Sequence, residues 1–173
     1  MRHLTPADYT RQPWKNGKGV TVEMLRIDRG GQLLARLSRA TVVEDGPFSV
    51  FPGIMRNLTV LTGKGFRLIG PGLDLRCDPL LPVAFPGDTA VAAIGTNGEP
   101  SDDFNVMTAA HLRVPEVTLV THGTLPAEGL LALYALAPAR VNGHAMVALD
   151  LVLTETSASI DGGPVLAARL HLS

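Results

Sequence analysis

The sequence is a succession of short runs in which apolar and polar residues alternate, and glycine or proline turns end most of them. The run Val20–Ile27, for example, places Val20, Val22 and Met24 on the same side. Alternation with a period of two is typical of a strand that is buried on one face. Stretches with a helical period of 3.6 residues are almost absent. The chain is therefore predicted to be all-β, either a sandwich or a barrel.

Composition limits the size and the partners of this β structure. The 173 residues are 46% hydrophobic and 18% charged, which suits one medium domain or two small halves with a real core. The formal net charge is −1 and the basic residues are dispersed, so we expect no nucleic-acid partner. Cys77 is the only cysteine, which excludes an intramolecular disulfide and fits a reducing compartment.

Targeting signals are not apparent in the sequence. The N-terminal residues contain no apolar stretch of the signal-peptide kind, and no run of about 18 apolar residues occurs. We therefore expect no membrane span and a cytoplasmic location.

Several elements can be predicted individually. Thr5–Tyr9 is expected to form one helical turn, because threonine caps such a turn and proline suits its first position. Arg56–Leu61 and Gly65–Ile69 are predicted to form a hairpin across a glycine turn. Phe48–Phe51 and Ala145–Thr154 are each predicted as one strand. The Ala- and Leu-rich stretch 130–137 would also suit a helix, and we predict a strand from its length and neighbours.

The stretch Pro13–Thr21 is a candidate recognition loop. It contains the only tryptophan, Trp14, followed by Lys15 and Asn16 between glycine-rich positions. Successive backbone N–H groups in such a turn can form an anion cradle, and Trp14 could stack on a planar ligand. The alternative is an ordinary surface turn in which Trp14 anchors the core. The residues of this stretch alone favour the ordinary turn.

Four motifs occur in order over more than half of the chain. They are Pro13-Trp14-Lys15-Asn16-Gly17-x-Gly19-x-Thr21-x-Glu23, Phe48-Ser49-x-Phe51-Pro52-Gly53-x-x-Arg56-x-Leu58, Phe85-Pro86-Gly87-Asp88 and Asp103-Phe104-Asn105-Val106-Met107. Together they resemble the HutD/Ves family. The resemblance implies a cupin-like double β-barrel (bicupin) in a single chain with little helix. Residues 1–110 would form the barrel that carries the motifs, and residues 111–173 a degenerate second cupin-like half packed intimately on it.

The resemblance also implies a functional context. Members of the family are associated with histidine utilisation or, under the Ves name, described as stress-induced. The family has no established catalytic activity, and its suggested role is to bind a small pathway metabolite and so restrain the pathway. Two positions depart from the family pattern: Lys18 replaces a usual glycine, and Ala35 stands where tryptophan is frequent. Lys18 adds a side chain and a charge at the cradle, and the smaller Ala35 could change the shape of the pocket and with it the ligand.

Polar residues on three predicted strands are the main candidates for ligand contacts. Arg56 offers five donors in a planar fork that suits a carboxylate, although a lone arginine is commonly exposed. Arg36 and Ser38 share one strand face, which is either a pocket wall or a solvated outer face. Asp103 and Asn105 also share a face. Asp103 could orient an arginine, or it could serve the turn that precedes it.

We therefore expect a non-catalytic binding protein for a small anionic metabolite of the histidine pathway, such as urocanate, formiminoglutamate or formylglutamate. No metal or other cofactor is expected, because the five histidines lack the spacing of a metal-bearing cupin. The candidate ligand-binding residues are Trp14, Lys15, Asn16, Arg36, Ser38, Arg56, Asp103 and Asn105.

Two other classes of function stay open on the sequence alone. One is a metal-free cupin isomerase or lyase that uses His111 and Asp103 as acid and base on a small carboxylic acid. The other is a protein-interaction module. Exposed strand edges often pair between copies, which favours a homodimer.

Overall fold

The computed structural model describes residues 1–14, 17 and 19–173, and strands dominate it. A short 3-10 turn spans Pro6–Asp8, as the sequence predicts, and the backbone N–H of Thr5 donates to Asp8 Oδ2 over 2.8 Å. The all-β prediction is confirmed. The strands are β1 (Arg2–Leu4), β2 (Thr10–Pro13), β3 (Val20–Arg29), β4 (Gln32–Val42), β5 (Gly46–Pro47), β6 (Ile54–Thr62), β7 (Phe66–Gly70), β8 (Leu73–Cys77), β9 (Val83–Pro86), β10 (Ala92–Ile94), β11 (Ser101–Ala109), β12 (Glu116–Leu125), β13 (Leu130–Ala135), β14 (Ala139–Val141), β15 (His144–Met146), β16 (Leu151–Thr154) and β17 (Ala158–Leu170).

The chain divides into two compact units. The first unit is Thr10–His111, and the second consists of Met1–Tyr9 together with Leu112–Ser173. The sequence-based division placed the first nine residues in the N-terminal barrel. They group with the C-terminal residues instead, because β1 pairs antiparallel with β16.

Two sheets build the first unit. A six-stranded sheet has the order β2-β3-β4-β11-β6-β9, and a four-stranded sheet has the order β5-β10-β7-β8. Apolar side chains from both sheets form one buried cluster, so the core lies between the sheets and buries their facing sides. Its members are Val42, Leu58, Val60, Phe66, Leu68, Cys77, Phe85, Val91 and Ala93.

The predicted hairpin of Arg56–Leu61 with Gly65–Ile69 is wrong. Strand β6 pairs with β11 and β9, whereas β7 pairs with β10 and β8. The glycine turn between β6 and β7 therefore carries the chain from one sheet to the other. Gly65 has φ +79°, and a Cβ there would lie 2.0 Å from the carbonyl oxygen of Cys77. The glycine thus permits a close crossing of two chain segments, which the sequence pattern does not distinguish from a hairpin turn.

The second unit is a seven-stranded sheet with its own core. Its order is β1-β16-β13-β17-β14-β15, and β12 also pairs with β17. The stretch that begins at Leu130 is a strand, as predicted, and it lies between β16 and β17. The predicted single strand Ala145–Thr154 is instead interrupted, because Leu149 takes φ +77° between β15 and β16. The buried cluster comprises Leu131, Leu133, Ala135, Ala139, Val141, Met146, Val152, Ala158, Ile160, Val165 and Ala167.

Side chains link the two ends of this sheet. Strands β1 and β15 are last in the strand order at opposite ends. His3 on β1 lies 3.0 Å, Nδ1 to Nε2, from His144 on β15. The other ring nitrogen of His3 lies 2.9 Å from Oδ2 of Asp150, whose side chain is only 4% exposed. Within the described residues, no helix is long and apolar enough to cross a membrane.

We predict that His3→Ala lowers the stability of the protein. The substitution breaks the link between β1 and β15 and removes a partner from the buried carboxylate of Asp150. The free energy of unfolding, measured by urea denaturation, should fall by about 1–3 kcal/mol. His122→Ala is the matched control, because His122 is 73% exposed and its substitution should change stability by less than about 0.5 kcal/mol. An equal loss of unfolding free energy in the two variants would contradict a stabilising link between β1 and β15 through His3.

Candidate functional site

Five of the predicted ligand-binding residues lie on one face of the six-stranded sheet, which we call the polar face. Their positions follow from the strand register, because residues directly opposite on neighbouring strands share a face. Arg36 on β4 and Arg56 on β6 both lie opposite Met107 of β11. The next row is Ser38, Asn105 and Leu58, and the row after it is Ala40, Asp103 and Val60. The polar face thus comprises Arg36, Ser38, Arg56, Asp103 and Asn105.

The polar face points into the core of the first unit. Leu58 and Val60 lie in its rows, and both belong to the cluster between the two sheets. Arg56 is 5% exposed, and Ser38, Asp103 and Asn105 are also buried. A solvated outer face for these residues is therefore excluded.

The guanidinium of Arg56 donates hydrogen bonds to neutral acceptors on the polar face and beside it. Its Nη2 donates to Asn105 Oδ1 over 2.8 Å, and its Nη1 donates to the carbonyl oxygen of Ser49 over 3.3 Å. Its Nε is buried and has no hydrogen-bond partner in the structure. Among the described residues, no carboxylate lies within 4 Å of the guanidinium. The charge of Arg56 is therefore held by neutral groups, and one donor stays open.

Three aromatic rings surround this guanidinium. The Cζ atom of Arg56 lies 5.3 Å from the ring centroid of Phe48, 5.4 Å from that of Phe51 and 5.1 Å from that of Phe85. Ring faces attract cations at such distances, and the attraction increases where water is excluded. The rings therefore stabilise a charge that burial alone would make costly.

Two of these rings come from a segment that the sequence predicts as a strand. Phe48–Phe51 has no regular secondary structure, so that prediction is wrong. Single backbone bonds hold it instead: Phe48 N donates to Val91 O over 2.9 Å, and Phe51 N donates to Gly87 O over 2.8 Å. These two bonds hold the segment over Arg56 without making it a strand of either sheet.

The two Phe-Pro-Gly motifs interlock at this point. A Cβ on Gly87 would lie 2.6 Å from the carbonyl oxygen of Phe51, so only glycine fits there. The backbone N–H of Gly53 in turn donates to Asp88 Oδ1 over 3.1 Å. The motifs thereby fix two of the rings that surround Arg56. In the sequence these motifs indicate a family, but the contacts of their phenylalanine rings with Arg56 were not predicted. The repetition of Phe-Pro-Gly is the sequence signal that could have predicted them.

Asn105 connects Arg56 to Asp103. Its amide oxygen accepts from Arg56, and its Nδ2 donates to Asp103 Oδ1. Burial raises the pKa of Asp103 to about 7, although the charge of Arg56 opposes this shift. Burial also lowers the pKa of Arg56 to about 10, which leaves it charged at neutral pH. On the polar face, Asn105 therefore joins the charged guanidinium of Arg56 to a carboxyl whose pKa is near neutrality.

Arg36 is neutralised within the sheet. Its Nε lies 2.5 Å from Glu23 Oε2, and both side chains are largely buried. Its Nη2 donates to Gln12 Oε1 over 3.2 Å. Arg36 therefore brings less free charge to the polar face than Arg56.

The candidate loop is described only in part. The Trp14 indole Nε1 donates to Thr21 Oγ1 over 2.8 Å. A Cβ on Gly19 would lie 2.9 Å from the Trp14 ring, so the ring packs against the loop's own backbone. Lys15 and Asn16, predicted to contact the ligand, lie outside the described residues, as does Lys18.

The acid–base pair of the alternative enzyme is not assembled. Asp103 is buried within β11, whereas His111 is exposed in the turn after that strand. The length of strand between Asp103 and Ala109, the last residue of β11, is about 20 Å, and His111 lies beyond it. Within the described part of the chain, no group of three or more histidine, cysteine, aspartate or glutamate residues is placed to hold a metal ion.

The sheet architecture is that of the cupins. The structure of a cupin 2 conserved barrel domain protein from Leptotrichia buccalis superposes with a TM-score of 0.56, covering 88% of this chain and 89% of that one. The sequences are 7% identical, so this likeness concerns the fold alone. The protein is therefore a cupin-like all-β protein.

More specific similarity comes from Pseudomonas. HutD from P. fluorescens SBW25, solved in a formate condition, matches with a TM-score of 0.89 and 28% identity over 99% of this chain and 98% of that one. The HutD family model matches residues 6–162. The chain belongs to the HutD family, which is associated with histidine utilisation.

A curated relative supports the same context. It is an uncharacterised 21.2 kDa protein encoded in the hutC 3′ region of P. putida, 44% identical over 115 residues. The match spans 63% of this chain and 58% of that protein.

We predict that Asp103 makes stability fall as pH rises. Its pKa is about 7 in the folded protein, against 3.8 ordinarily, so the folded state keeps a proton that the unfolded state loses. The free energy of unfolding should then decrease between about pH 4 and pH 7, by up to about 1.4 kcal/mol per pH unit. Asp103→Asn, which is neutral throughout, should lack this decrease in urea denaturation.

The control for this measurement is Asp74→Asn. Asp74 is 56% exposed and pairs with Arg67 on the surface. Its variant should follow the pH profile of the wild type. Parallel profiles for the wild type and Asp103→Asn would show that Asp103 does not titrate in this range.

Proposed function

We propose that this protein is a non-catalytic binding protein for a small carboxylate and that Arg56 is its recognition group. The observation that carries the proposal is the buried guanidinium with an open Nε donor and no carboxylate partner among the described residues. The planar guanidinium fork can form paired hydrogen bonds with the oxygens of a carboxylate.

Electrostatics supports an anionic ligand. A charge that is removed from water and left unpaired costs several kcal/mol, and a partner of opposite charge recovers much of this cost. Arg36 already has Glu23, and Asp103 reaches Arg56 only through Asn105. A ligand carboxylate at Arg56 would complete the pairing of charges on the polar face.

The surrounding groups would orient the ligand and limit its size. Asn105 and the carbonyl of Ser49 fix the plane of the guanidinium. Phe48 and Phe51 cover it and would have to shift to admit a ligand, since Arg56 is 5% exposed. The loop that would close over the ligand supplies three further predicted contacts, which are Trp14, Lys15 and Asn16.

Family membership points to the ligand class. Association with histidine utilisation favours a carboxylate of that pathway, such as urocanate, formiminoglutamate or formylglutamate. The relative from P. fluorescens was solved in a formate condition, and formate is the smallest carboxylate. Binding such a compound in the cytoplasm would let the protein modulate histidine utilisation.

One observation favours a second candidate, a metal-free cupin enzyme that acts on a small carboxylic acid. Burial raises the pKa of Asp103 to about 7, the range that suits a general acid or base. Turnover of a histidine-pathway acid that is lost in Asp103→Asn would support this candidate. Binding without turnover, retained in that variant, would exclude it.

We predict that ligand-induced stabilisation depends on Arg56. A carboxylate at about one hundred times its dissociation constant should stabilise the wild type by about 2.7 kcal/mol. For a chain of this size, that corresponds to a rise in melting temperature of roughly 5–10 °C. Arg56→Met keeps the length of the side chain and removes the donors, so it should show no such rise. The measurement is a thermal-shift panel of formate and the three pathway acids.

The matched control is Arg26→Met. Arg26 lies on β3 of the same sheet but is 49% exposed and pairs with Asp28. This variant should respond to the ligand as the wild type does. An equal rise in Arg56→Met, or no rise in the wild type with any acid at millimolar concentration, would refute the proposal.

A further inference from the structure

The opposite face of the six-stranded sheet carries a groove, which we call the outer groove. Its volume is about 270 Å³. Alternation along β4 places Arg39 and Thr41 on the side away from Ser38 and the polar face. The residues that line the groove are Arg11, Gly19, Val20, Val22, Arg39, Ala40, Thr41 and Val43, and they include none of the polar-face residues.

Two arginines flank an apolar floor in this groove. Arg11 of β2 and Arg39 of β4 both lie opposite Val22 of β3, one on each side. Two strand spacings separate their Cα atoms, which is about 10 Å. Val20 and Val43 extend the apolar surface beside Val22. The groove therefore presents a cation at each end and hydrocarbon in the middle.

A carboxylate lies beside one of the two arginines of the outer groove. Among the described residues, those that line the groove include no acidic one. Asp102 lies nearby, with its Oδ2 3.9 Å from Arg39 Nη2, and its Oδ1 accepts from Thr41 Oγ1 over 2.5 Å. That carboxylate holds one wall of the groove in place through Thr41. Arg11, at the other end, is exposed to solvent.

We propose that the outer groove is a second binding site, for a small organic dianion with two carboxylates joined by a short apolar spacer. Each carboxylate would accept hydrogen bonds from one guanidinium, and the spacer would cover the valines. The volume limits the ligand to a small molecule, since it lies just below the usual range of ligand sites. The site is independent of Arg56, because the two sites occupy opposite faces of one sheet.

The test is calorimetric titration with glutarate at fixed ionic strength. Glutarate should bind the wild type, and valerate, with the same five carbons and one carboxylate, should bind about tenfold more weakly or worse. Arg11→Gln and Arg39→Gln should each weaken glutarate binding by a similar factor. Arg11 is exposed, so its variant keeps the test valid if Arg39→Gln fails to fold.

The titrations are repeated in Arg56→Met, which removes the donors of the proposed interior carboxylate site; this variant should still bind glutarate, in the outer groove. Loss of glutarate binding in Arg56→Met would place the ligand in the interior site and overturn the proposal. An unchanged affinity in Arg11→Gln, equal affinities for glutarate and valerate, or no binding at millimolar concentration would each overturn it too. Formate-induced stabilisation retained in Arg11→Gln would show that the two sites are distinct.

Discussion

The buried guanidinium of Arg56 is the group on which the architecture of the first unit depends. A charge this far from water is tolerated only where donors find acceptors and the surroundings favour a cation. Asn105 and Ser49 supply the acceptors, and three phenylalanine rings supply the surroundings. These contacts bring together β6, β9, β11 and the irregular segment Phe48–Phe51 before β6. The hydrogen-bond acceptors are neutral, which is the basis for proposing that an anion binds there.

The two proposed binding sites can share one sheet because successive residues of a strand point to opposite faces. On β4, Ser38 faces the core with the polar face, and Arg39 faces the outer groove beside Val22. The two surfaces differ in dielectric environment. Arg56 is almost fully buried, so the proposed ligand would gain strong electrostatic attraction there but would have to displace the phenylalanine rings that cover the guanidinium. The arginines of the outer groove are closer to solvent, where attraction is weaker and more sensitive to salt.

The sequence predicted the alternating faces better than it predicted the partners of the strands. Asp103 and Asn105 share a face as expected, because a period of two fixes side-chain direction without any knowledge of pairing. The pairing of β6 with β11 and β9 instead of β7 depends on contacts far apart in sequence, and Gly65 fits a crossing as well as a turn. The rings around Arg56 were missed for the same reason. Phe48 and Phe85 are 37 residues apart, and only the fold brings them to one guanidinium.

Asn105 couples the charge of Arg56 to the protonation of Asp103. Its amide can accept from one and donate to the other only in a single orientation, which Arg56 fixes. The positive charge of Arg56 opposes the rise in the pKa of Asp103 that burial causes. A carboxylate bound to Arg56, as proposed, would cancel part of that charge and let the pKa of Asp103 rise further. Ligand binding near neutral pH would then take up a proton, so the affinity would increase as the pH falls through this range.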